Sequence, residues 1–137
     1  MNRILCSLFL IHFAAYADLD QHEQQGLQDT KKMLTSPQLR KEAIKNDKAA
    51  QEVDAKVEAL AGSSKNKEEI YDIASQVMET ITLEAKGDPE KMQKMLLEAQ
   101  ANPQAFYNKY FTEAQKAQVR KVATDIEKKG GKASPRK

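Results

Sequence analysis

The chain has 137 residues, of which 31% are charged and 40% apolar, with no tryptophan and a single cysteine. Its formal net charge of +2 hides an uneven distribution: residues 18–127 hold 16 basic and 20 acidic side chains, whereas residues 128–137 hold five basic ones and no acid. A mildly acidic body argues against a nucleic-acid-binding face, and a chain poor in aromatic residues and rich in alanine can build one domain with a modest core.

The first residues divide into three zones. Arg3 supplies a positive charge, Ile4 to Ala15 form an apolar run of 12 residues broken by Ser7 and His12, and Ala15-Tyr16-Ala17 places small residues around a cut before Asp18. That order is the layout of a secretory signal peptide, and the run falls short of the roughly 20 apolar residues that span a bilayer. Residues 1–17 are therefore expected to be removed, giving a secreted or periplasmic product with no integral membrane segment. Cys6 would leave with the leader, so the mature chain would have no disulfide and would stand on packing alone.

Downstream, helix formers dominate and no alternating run of β-branched residues suggests a strand. Residues 18–35 are polar, glutamine-rich and interrupted by Gly26, the pattern of a weak, partly ordered helix. A helical domain is expected over 36–129. Ser36-Pro37 reads as an N-cap followed by proline at the first helical position. Asp47 reads as the next cap, ahead of Ala50, Val53, Val57 and Leu60 at helical spacing, with Gly62 as the C-terminal stop. Asn66 with Glu69 has the spacing of a capping box and opens the strongest periodicity in the chain: Ile70, Ile73, Ala74, Val77, Ile81 and Ala85, up to Gly87. Asp88-Pro89 and Asn102-Pro103 start two further helices, and Thr112 with Gln115 boxes the start of the last, lined by Val119, Val122, Ala123 and Ile126. Gly130-Gly131 stops it, leaving 130–137 as a disordered basic tail. Together these signals predict an all-α protein, a compact irregular bundle of about five to seven short helices after a cleaved signal peptide.

The stretch Asp88-Pro89-Glu90-Lys91-Met92-Gln93-Lys94-Met95-Leu96, followed by Asn102-Pro103-Gln104-Ala105-Phe106, resembles the short Asp-Pro and Asn-Pro helices of cochaperone DP-type domains. The resemblance is confined to 88–106 and implies short helices that cradle apolar peptide segments.

Catalytic equipment is sparse. His22 is the one histidine after Ala17, too few for a zinc site and placed in the weakest helical segment for a nucleophile–base pair. Glu68, Glu69 and Asp72 could pair as acid and base, but acids at a helix start are more simply explained by the helix dipole. No enzyme activity, metal or cofactor is expected. Two features suit binding. Met78, Met92 and Met95, beside Leu96 and Leu97, could line an adaptable groove or fill a core. Phe106, Tyr107, Tyr110 and Phe111 gather most of the aromatic residues beyond Ala17, as a partner anchor or as a bundle cap. The sequence thus predicts a non-enzymatic interaction protein of the cell envelope, an accessory that takes a peptide or protein partner in a groove formed by Met92, Met95, Leu96, Phe106, Tyr107, Tyr110 and Phe111. The alternative is a secreted factor that acts on membranes or host molecules through amphipathic helices, its basic tail making weak contact with anionic surfaces.

Overall fold

The structure, a computed structural model, describes residues 19–129; the expected leader over 1–17 and the tail over 130–137 lie outside the described residues. Among the described residues it is all-α, with seven helices and no strand: α1 (Gln21–Thr35), α2 (Pro37–Ile44), α3 (Lys48–Ala61), α4 (Ser64–Ala85), α5 (Pro89–Ala101), α6 (Pro103–Tyr110) and α7 (Glu113–Lys128).

Most boundaries are set by local side-chain chemistry. Asp47 accepts the Ala50 N–H at 3.0 Å, Asp88 accepts those of Glu90 and Lys91, and Asn102 accepts that of Ala105 at 3.0 Å. These bonds satisfy amide donors that have no partner within the helix. Thr112 and Gln115 form the expected reciprocal box, with bonds of 2.9 and 3.2 Å. Gly62 closes α3 in the left-handed region, at φ 64°, where a Cβ is costly.

One start differs from expectation. Helix α4 begins at Ser64, and it is the Ser63 hydroxyl that accepts the Asn66 N–H, at 3.2 Å. Asn66 is buried and donates its side-chain amide to the Ala61 carbonyl at 3.0 Å, binding the end of α3 to the start of α4. Helix α1 runs for 15 residues straight through Gly26. Its start is reinforced by a second box, in which Asp20 and Glu23 each accept the other's backbone N–H at 2.8 Å.

By its contacts the chain separates into two units. Among the described residues, the first comprises those up to Lys31 and the stretch Val77–Tyr110. Its buried side chains are mainly apolar: Leu19, Leu27, Ile81, Ala85, Met95 and Phe106. Helices α5 and α6 pack on each other, and the Phe106 and Tyr110 rings lie 4.7 Å apart, tilted. Lys31 on α1 pairs with Glu79 on α4 at 2.7 Å.

Among the described residues, the second unit comprises Lys32–Gln76 and those from Phe111 onward. Its buried side chains are Ala61 and Val122, together with the polar Arg40, Asn66 and Ser75. Arg40, only 4% exposed, comes from α2. Its guanidinium donates to the Leu34 carbonyl and to Glu68 at 2.6 Å, lies 4.0 Å from Asp54, and stacks 3.7 Å above the Tyr71 ring. Asp54, on α3, accepts hydrogen bonds from the Tyr71 hydroxyl at 2.7 Å and from Lys67 at 2.9 Å; Lys67 also reaches Glu58. Three helices are thereby fixed through charged groups, with a desolvated cation–π contact contributing about 1–2 kcal/mol.

Helix α7 is attached to α4 in the same polar fashion. Lys121 pairs with Glu69 at 3.0 Å, while Gln118 donates to Asp72 at 2.8 Å and accepts from Gln76 at 3.0 Å. Glu68, Glu69 and Asp72 therefore each have a partner distant in sequence, beyond any interaction with the α4 dipole.

The network has a definite pH signature. Burial pushes the Asp54 carboxyl upward, but hydrogen bonds from Tyr71 and Lys67 and the charges of Lys67 and Arg40 outweigh it, holding the group below its ordinary 3.8. Burial lowers Lys67, but its bonds to Asp54 and Glu58 outweigh that and raise it above 10.5; burial and the bond to Asp54 push the Tyr71 hydroxyl up to about 12. The Asp54 contribution is complete above 3.8 and is lost as pH falls through the depressed native value. The Tyr71 contribution is complete below 10.0 and is lost between there and about 12, because the native state holds its proton longer.

Thermal melts across pH should therefore show a plateau that falls at both ends. Asp54→Asn should flatten the acid limb and Tyr71→Phe the alkaline one. Arg40→Ala should cost about 3 kcal/mol, the lower part of the range for breaking a buried pair, since Glu68 is exposed enough to rehydrate. Arg40→Lys should recover little, because an ammonium has no flat face to stack. Urea denaturation of these variants checks both.

Candidate functional site: an apolar cleft in the first unit

Within the first unit an open cleft of about 200 Å³ is lined by Glu23, Gly26, Leu27, Thr30, Met78, Thr82, Gly87 and Met92. The four residues from α1 fall at i, i+3, i+4 and i+7, one face of the helix, and Met78 and Thr82 stand one turn apart on α4. The Thr82 hydroxyl donates to the Met78 carbonyl at 2.8 Å, so that hydroxyl is already satisfied by backbone. Leucine and methionine supply the apolar surface, and methionine, unbranched and polarizable, reshapes easily around an irregular guest. The cleft is smaller than the roughly 300–1,000 Å³ that houses drug-sized molecules, and comparable with the about 150 Å³ cavity that accepts benzene. It has the size for one large side chain.

Two glycines shape it. Gly87 takes φ 75° at the end of α4, and a Cβ there would lie 2.2 Å from Glu23 Oε1. The missing side chain gives the Glu23 carboxylate its seat, where Oε2 accepts the Asp20 N–H. Gly26 is different. It is exposed inside α1, and a Cβ at that position would meet nothing within 4 Å.

The residues singled out from the sequence separate here. Met92 lines the cleft, as does Met78. Met95 and Phe106 are buried in the first unit, at 8% and 4% exposure, and Leu96 is exposed at 40%. Tyr107 and Tyr110 are half-buried; the Tyr110 ring rests against Phe106, and the Lys109 ammonium stands 4.6 Å above it. Phe111 is half-buried and belongs to the second unit. The break at Asn102-Pro103 does redirect the chain, but α5 and α6 pack on each other and Phe106 is buried. This cleft lies against α1 and shares Met92 with the expected groove. Glu23, Gly26, Leu27 and Thr30 escaped sequence reasoning; their i, i+3, i+4, i+7 spacing was the available signal.

His22 is exposed. Among the described residues no three His, Cys, Asp or Glu side chains are grouped as around a metal ion, and no helix is long and apolar enough to cross a membrane. Comparisons with protein-family models, curated proteins and solved structures found no match to this chain.

A helix-interior glycine with free space at its Cβ is a correctable weakness. Gly26→Ala should raise stability by about 0.5–1 kcal/mol, read as a higher Tm with an unchanged denaturant m value.

Proposed function

We propose that the chain is an exported, non-enzymatic protein, cut after Ala17, that binds a peptide segment of a protein partner by seating an apolar side chain between Leu27, Met78 and Met92. The observation that carries this reading is the open cleft itself: two adaptable thioethers meet a leucine on a surface large enough for one guest side chain. Leu96 stands four residues beyond Met92 on α5 and is exposed, so a bound segment longer than one residue has further apolar surface along that helix. In this reading Met95 and Phe106 position α5, and the basic end over 130–137 adds weak attraction to anionic surfaces. A cut before Asp18 also leaves intact Leu19, which is buried, and the Asp20–Glu23 box.

Methyl-labelled methionine separates the site from its support. Adding an apolar peptide should shift the NMR signals of Met78 and Met92 and leave that of Met33, which lies in the second unit, in place. Uniform shifts, or none, would remove the cleft as the site. N-terminal sequencing of protein recovered from its natural host should begin Asp-Leu-Asp; a product that keeps Met1 to Ala17 overturns export.

A further inference from the structure

The peptide-binding reading leaves open what kind of segment occupies the cleft, and two features outside the apolar wall bear on that. The first is Gly26. Glycine within a helix costs about 0.5–1 kcal/mol relative to alanine, and is retained where a backbone turns sharply or where something approaches it closely. At Gly26 the backbone is ordinary helix and no neighbour lies within 4 Å of a Cβ position, so packing within the chain gives no reason for it. An approaching guest does, because a side chain on this face of α1 would project over the mouth of the cleft.

The second feature is charge. Among the described residues lining the cleft, Glu23 is the ionisable one. Its carboxylate is held in place by the Asp20 N–H on Oε2 and by the space that Gly87 leaves open. A carboxylate offers about four lone-pair positions, so capping leaves it able to accept further donors. Lys31, on the same helix, is engaged with Glu79, and Lys91, next to Met92, pairs with Asp88. The cleft therefore presents an apolar pocket with a fixed negative charge at its edge.

We infer that the occupant is a peptide segment of a partner protein in which a bulky apolar residue is followed or preceded closely by lysine or arginine, the apolar side chain entering beside Met92, the cation pairing with Glu23, and the segment's backbone passing over Gly26. This rests on the peptide-binding reading above and adds the charge and the path of the guest. The pair is solvent-facing, so its effect is modest and weakens with salt.

The test uses purified mature protein and three fluorescein-labelled nonapeptides with a central phenylalanine flanked by lysine, glutamine or glutamate, followed by anisotropy. The lysine peptide should bind about fivefold more tightly than the glutamine peptide, and the glutamate peptide most weakly, with the differences shrinking between about 50 and 500 mM salt. Glu23→Gln keeps a side chain suited to the capping box and should erase the preference, bringing the lysine and glutamate peptides to one affinity. Gly26→Leu improves helix propensity, so Tm should hold or rise while binding of all three peptides is lost. Equal affinity for the three peptides overturns the charged occupant and leaves peptide binding standing. Binding of none overturns both. Wild-type affinity in Gly26→Leu overturns the path over α1. A fatty acid that displaces the lysine peptide, or self-association abolished by Gly26→Leu, overturns the proposal in favour of an acyl chain or a second copy.

Discussion

A guanidinium withdrawn from water must recover its lost solvation from neighbours, and in the second unit Arg40 recovers it from three sides. A backbone carbonyl and a carboxylate take its N–H donors, and the Tyr71 ring takes its face. Asp54 links this cation to Lys67, so the positions of α2, α3 and the start of α4 depend on one another. A helix as short as α2, 8 residues, has little stability alone. It is the arginine that gives it a place. Such an arrangement contributes less net energy than an apolar core of equal volume, but it tolerates few alternative geometries.

The two units use different means for the same end. The first buries leucine, isoleucine, methionine and phenylalanine, and its cleft is a place where that apolar surface stays open to solvent. The second hides few large apolar groups and relies on directional bonds, extended to α7 by Gln76, Gln118, Asp72, Glu69 and Lys121. Helix α4 contributes to both, with Asn66 and Ser75 buried on the second-unit side of Gln76 and Ile81 and Ala85 on the first-unit side. The stripe of apolar residues read along α4 is thus only part of its packing surface. Ile70, Ile73 and Val77 are partly exposed, while two small polar residues are fully covered.

What the sequence disclosed follows from range. Caps at Asp47, Asp88, Asn102 and Thr112 involve residues two or three apart, and their chemistry is readable in the chain itself. The start of α4 was misplaced because Ser63 and Asn66 are both good caps; the choice was made by the Ala61 carbonyl, which claims the Asn66 side chain. Residues 18–35 read as weakly helical on propensity alone, which carries no trace of the Asp20–Glu23 box or of the burial of Leu27. The candidate site was legible in part. Met78 and Met92 stood out by type, but their meeting with α1 joins positions some 50 to 70 residues apart in sequence, beyond the reach of periodicity. The Arg40 network was hidden for the same reason. Its one hint was an arginine in a body whose other cations, Arg120 apart, are lysines.

The two thioethers of the cleft also expose it to a chemistry that leaves the backbone untouched. A peroxide transfers an oxygen atom to methionine sulfur, turning a soft apolar wall into one bearing a strong dipole and a new stereocentre. Met78 and Met92 line an open surface, whereas Met95 is shielded at 8% exposure. Sulfoxide would therefore form first on the open wall of the cleft, and would make that surface inhospitable to hydrocarbon before the packing behind it was touched. A reductase able to return the sulfur to its original state would restore that apolar wall without any new synthesis of the chain.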